Sequence, residues 1–107
     1  MITTDFDTLI STNRLILAEF YADWCGPCRA IRPSLERLVL TMSDRVSIIY
    51  IDTQVYEHLE LVRRYNIVCL PTLMLFMRSE CLWRESGVIH YDRLCGIVHR
   101  YSFVESY

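Results

Sequence analysis

The chain has 107 residues, 52% of them hydrophobic, and a net charge of −2. That length sets a single domain, residues 1–107, as the expectation, and the apolar share excludes a disordered chain. The charge gives no pull toward nucleic acid or anionic lipid, and no apolar run reaches the ~20 residues that span a bilayer, so neither nucleic acid nor a membrane is expected as a partner.

Met1 to Asp7 is acidic and lacks a basic stretch followed by an apolar one. It does not read as a secretory signal, and the cytoplasm is the expected compartment. Thr4 can N-cap a short helix over Asp5 to Ile10, with Asp5 and Asp7 favouring its N-terminal end. Only Met1-Ile2-Thr3 precedes it. Leu15 to Tyr21 is almost wholly apolar and reads as a strand buried on both faces. From near Cys28, the positions Ile31, Leu35, Leu38, Val39 and Met42 follow helical spacing, with Pro33 predicting a kink. Val46 to Ile51 reads as a second buried strand, ended by Asp52. Val55, Leu59 and Val62 mark one face of a further helix, closed by Arg63 and Arg64. Pro71 opens a third strand, Thr72 to Met77. Arg78-Ser79-Glu80 turns the chain into a fourth, Cys81 to Ser86, which Gly87 breaks. A last helix runs from about Tyr91 to Tyr101, with Leu94, Ile97, Val98 and Tyr101 facing the core. The two βα crossovers predict parallel connections and the final strand pair an antiparallel hairpin. Together they give a mixed sheet covered by helices on both faces.

The chemistry concentrates at Ala22-Asp23-Trp24-Cys25-Gly26-Pro27-Cys28-Arg29. Two cysteines two residues apart stand where a strand gives way to a helix. A thiolate, not a thiol, attacks a disulfide. The unpaired N–H groups and the positive dipole end of a first helical turn stabilise an anion on Cys25. Pro27 is tolerated there because its missing N–H would have had no partner. A structural zinc site normally needs four ligands; here there is one such pair, and His58, His90 and His99 are scattered, so no metal is expected. A structural disulfide is the other alternative, but Gly-Pro at a strand–helix junction is a poor staple, and redox use of the pair is favoured. Five cysteines cannot all pair within one chain, which fits a reducing compartment.

The sequence closely resembles the thioredoxin family over nearly its whole length. Trp24-Cys25-Gly26-Pro27-Cys28, Pro33 inside the following helix, Leu70-Pro71-Thr72 opening a strand and Gly87 before the last helix carry the resemblance. It implies an α/β thioredoxin fold, with a mixed central sheet of four to five strands flanked by helices on both faces and a first edge strand that is short or absent. It implies a protein-disulfide reductase, with Cys25 as the exposed nucleophile and Cys28 as the buried resolving thiol. It also implies a cis Leu70–Pro71 bond beside the pair, leaving the Leu70 backbone able to pair with an extended substrate segment. Trp24, Gly26 and Pro27 complete the substrate-facing surface, with Trp24 shielding the site.

Glu19 stands where the family usually has a buried aspartate. A carboxyl in low dielectric can relay a proton to or from the resolving thiol. Family members often pair that acid with a lysine in the next strand. The matching position here is Ile48 and the chain has no lysine, so Glu19 is expected to lack a cationic neighbour there and to be protonated near neutral pH. Tyr21 is read as core packing, Cys69 as a small surface residue, Cys81 and Cys95 as inert, the three histidines as solvated, and Glu105-Ser106-Tyr107 as a frayed end.

No bound cofactor is expected beyond the redox-active disulfide itself. The chain has no Gly-rich dinucleotide loop, so its partners are expected to be disulfide-containing protein substrates and, by resemblance, an NADPH-dependent thioredoxin reductase that recharges it. Two alternatives stay open: a disulfide oxidase or isomerase on the same fold, and a thioredoxin-like interaction module whose thiols are incidental.

Overall fold

A computed structural model describes residues 2–102. The frayed end expected at residues 105–107 lies outside the described residues. Among these residues four helices and four strands follow in the order α1 (Thr3–Ile10), β1 (Leu15–Tyr21), α2 (Gly26–Met42), β2 (Val46–Asp52), α3 (Leu59–Arg64), β3 (Thr72–Met77), β4 (Glu80–Ser86) and α4 (Tyr91–Ser102), with a 3-10 turn at Tyr56–His58 leading into α3. The sheet runs β2-β1-β3-β4.

β1 is apolar at six of its seven positions because it is central. Its period-two alternation divides the core between two faces. Leu15 and Leu17 join Ile31, Leu35 and Leu38 of α2 with Leu94 and Val98 of α4. Ile16, Ala18 and Phe20 join Phe6 of α1 and Leu61 of α3. Phe6 meets Phe76 edge-on at 5.6 Å, a geometry that adds to the apolar burial. The same alternation places Glu19 on the α2 side.

Several boundaries differ from expectation. α1 begins at Thr3 with Ile2 as its cap and no side-chain capping bond; Thr4 lies inside the helix, where its carbonyl accepts from Thr8 Oγ1 at 2.9 Å. β2 is half-buried rather than buried, because it is an edge strand. Among the described residues no strand precedes α1, so the outer edge of β2 is unpaired. The Val55–Leu59–Val62 stripe does not face the core. Val55 and Leu59 are exposed, and Leu61 and His58 are buried instead. His58 is thereby no solvated histidine: its Nδ1 lies 2.7 Å from the Asp52 carbonyl.

The larger correction concerns strand direction. The first crossover is parallel, β1 against β2. The second is not, since β3 runs antiparallel to β1. Tyr21 pairs with Asp52 and Phe20 with Thr72, so the chain leaves β2 and enters β3 at the same end of the sheet. The short α3, six residues long, does not carry it to the other end. This reversal brings Leu70 and Pro71 to the end where β1 hands over to α2.

Candidate active site

Three connections meet at that end. Thr53 ties β2 to β1 by donating its N–H at 2.8 Å and its hydroxyl at 3.0 Å to the Tyr21 carbonyl. The chain then turns through Asp23 and Trp24, with the Cys25 N–H donating to the Ala22 carbonyl at 3.1 Å. Cys25 is the N-cap of α2, Pro27 lies in the first turn, and Pro33 sits inside the helix. The third connection holds Pro71. Its carbonyl accepts from the Gly87 N–H at 2.9 Å, and Thr72 Oγ1 is bonded to the Cys69 carbonyl at 2.5 Å and to Ser86 at 2.8 Å. Gly87 makes this contact at φ +105, a backbone region that glycine enters without steric cost. The Leu70–Pro71 bond is cis, as the resemblance implies.

Cys25 and Cys28 form a disulfide with their Cα atoms 5.3 Å apart. The Cys25 sulfur accepts the Cys28 N–H at 3.2 Å. An unpaired helical donor thus already points at the atom that would carry the thiolate charge. Leu70 packs against Ala22, Cys25 and Cys28. The expected contrast between an exposed and a buried cysteine is weaker than foreseen, because Cys25 is 4% exposed and Cys28 2%. What separates them is the space each one lines. Cys25 opens onto a cleft of about 450 Å³ walled by Trp24, Pro27, Gln54, Ile67, Val68 and Leu70. Cys28 opens onto a second cleft, of about 270 Å³, with Tyr21, Asp23, Arg29 and Arg32.

Of the expected site residues, Trp24, Cys25, Gly26, Pro27 and Leu70 line the first cleft, and Pro71 is buried and does not line it. Trp24 is 68% exposed and offers an apolar face at the rim. Cys69 is exposed and is not among the residues lining the cleft. Cys81 is exposed and Cys95 half-buried.

Glu19 of β1 lies wholly buried. Burial pushes its carboxyl up from 4.5 to about 7, while the charge and hydrogen bond of Arg32 pull it back. Glu19 nonetheless has a cationic neighbour, supplied from an element other than the next strand. No lysine stands at Ile48, but Arg32 reaches across from α2 and donates to Glu19 Oε1 at 3.1 Å. Tyr21 is half-buried and faces that arginine, 5.1 Å from its guanidinium carbon. Sequence reasoning missed Arg32, although its spacing of four residues from Cys28 puts the two on one helical face. It also missed Gln54, Ile67 and Val68 as cleft walls, for which no local pattern offered a signal. Among the described residues, no cluster of three or more histidine, cysteine or acidic side chains is placed to hold a metal.

A sequence model of the family described as Thioredoxin matches residues 1–99. Thioredoxin 1 of Chlorobaculum tepidum is 33% identical over 82% of this chain and 86% of its own length. Thioredoxin Y1, chloroplastic, of Arabidopsis thaliana is 34% identical over 82% of this chain, which spans 50% of that longer protein. A mutant thioredoxin from Halobacterium salinarum superposes with a TM-score of 0.82 at 33% identity, covering 94% of this chain and 85% of the other. The bonded cysteine pair at the start of α2, the mixed four-stranded sheet and these likenesses agree, and the chain belongs to the thioredoxin family of disulfide oxidoreductases.

Proposed function

We propose that Cys25 and Cys28 divide the reduction of a protein disulfide into two exchanges. In the first, the Cys25 thiolate attacks one substrate sulfur, the substrate S–S bond breaks and a mixed disulfide forms. In the second, the Cys28 sulfur attacks Cys25 Sγ, the bond between Cys25 and the substrate breaks, and the substrate leaves as a dithiol. Two electrons pass to the substrate and the Cys25–Cys28 disulfide remains. The observation that carries this reading is that bonded pair, capping a helix on the floor of an open cleft.

The remaining roles follow from placement. Glu19 accepts the Cys28 proton, a task suited to a carboxyl that titrates near the working pH. The Leu70 backbone, set by the cis bond to Pro71, pairs with an extended substrate segment, and Trp24, Gly26 and Pro27 form the contact surface. Residues 1–107 act as one thioredoxin-like domain in the cytoplasm. An NADPH-dependent thioredoxin reductase returns the pair to the dithiol. NADPH-coupled reduction of insulin tests the scheme, with Cys25→Ser inactive and Cys28→Ser accumulating a mixed disulfide visible by mass spectrometry. A potential near about −270 mV is expected for the pair, and one near about −120 mV would assign it to oxidation instead. Failure to turn over with several reductases would instead support an interaction module.

A further inference from the structure

Glu19 is held by one oxygen only. Arg32 Nη2 donates to Oε1, while Oε2 is buried with no hydrogen-bond partner among the described residues. Arg32 is itself restrained. Its guanidinium lies 4.1 Å from the Tyr50 ring centre and 5.1 Å from that of Tyr21. An arginine stacked on aromatic rings keeps its planar donors in a fixed orientation. It stands one helical turn beyond Cys28, and both residues line the second cleft.

The surroundings of Glu19 leave this arginine without a competitor. Across the ladder stand Tyr50 of β2 and Leu73 of β3. Tyr21 lies two residues further along β1, on the same face. Glu36 acts on Tyr50, and Asp52 and Asp23 act on Tyr21. Among the described residues, Arg32 is the cation that acts on Glu19.

We propose that Arg32 is a positioning residue for dithiol exchange: held against Tyr21 and Tyr50, it anchors Glu19 by Oε1, leaves Oε2 as the proton acceptor for Cys28, and sets the pH range in which that transfer occurs. The proposal rests on the reading of Glu19 as proton acceptor. In the step itself, the Cys28 proton passes to Oε2 and the sulfur lone pair forms the bond to Cys25 Sγ. The bonding pair of the old disulfide leaves on the substrate sulfur, and Glu19 later releases its proton to water. Arg32 keeps its charge throughout.

The test compares wild type, Arg32→Met, Arg32→Lys and Glu19→Gln. Single-turnover reduction of a protein disulfide is followed against pH, and the Glu19 carboxyl is titrated by carbon NMR in the reduced protein. Arg32→Met should move the Glu19 titration and the rate inflection together to higher pH, by about one unit. Arg32→Lys, which restores the charge, should reverse most of that shift. Arg32→Gln decides by the same criterion if Arg32→Met does not fold. A rate inflection that stays put while the Glu19 titration moves, or an absence of both shifts, overturns the role of Arg32 and leaves Glu19 as acceptor. An inflection that persists unchanged in Glu19→Gln removes the acceptor reading, and the proposal with it.

Discussion

Replacing Glu19 by glutamine should change how stability depends on pH, in a direction fixed by the fold. Glu19 is wholly buried, and its carboxyl holds its proton up to about 7, against 4.5 when solvated. Below pH 4.5 the folded and unfolded chains both carry this proton, and the stability tied to it is fully present. Between 4.5 and about 7 the unfolded chain has released a proton that the folded chain retains. Each pH unit in that window then favours unfolding by about 1.36 kcal/mol. Across the window the loss amounts to about 3 kcal/mol, a large part of the 5–15 kcal/mol typical of a domain. Above pH 7 the contribution is gone and the curve levels. Glutamine cannot ionise, so Glu19→Gln should lack this fall. Urea unfolding of the oxidised protein from pH 4 to pH 9 gives both curves, and their difference isolates Glu19 from every other titrating group. Parallel curves for the two proteins would refute the reasoning.

Two further predictions concern packing and backbone. Leu35 is fully buried in the α2–α4 side of the core, so Leu35→Ala should cost about 2–5 kcal/mol in urea unfolding; a loss below about 1 kcal/mol would show that the site collapses around the cavity. A Cβ at Gly87 meets nothing within 4 Å, but its φ of +105 is strained for any other residue. Gly87→Ala should therefore cost about 1–3 kcal/mol through the backbone alone, and an unchanged unfolding midpoint would contradict that.

The redox pair was legible because its signal is local. Cysteine spacing, Gly-Pro and a strand-to-helix change all fall within eight residues, and the structure repeats that order. β1 and β3 were legible to the residue, since a central strand must be apolar on both faces. The direction of β3 was not, because it depends on which end of the sheet the chain re-enters. That follows from the length of α3 and from packing, not from any pattern within β3. The helix face at Val55 and Leu59 misled for a physical reason. Those residues are exposed, near Val62, which lines the cleft beside Cys25, so apolar periodicity there did not mark the core. The partner of Glu19 escaped notice because a buried carboxylate can find its cation on any neighbouring element. The strand at Ile48 was one candidate, and α2 supplied Arg32.

The Cys25–Cys28 bridge stands between two openings, one beside each sulfur. Sulfur exchange and proton exchange therefore need not share a path. A protein docked over Trp24 and Leu70 covers the front of the bridge and leaves the arginine side in contact with solvent, where the Arg32 side chain remains 35% exposed. On the proposed scheme, the proton released by Cys28 can reach bulk water while the substrate is still bound. The enzyme can then complete its chemistry under a tightly fitting partner, and the fit in front can be as close as recognition demands without stranding a charge behind it.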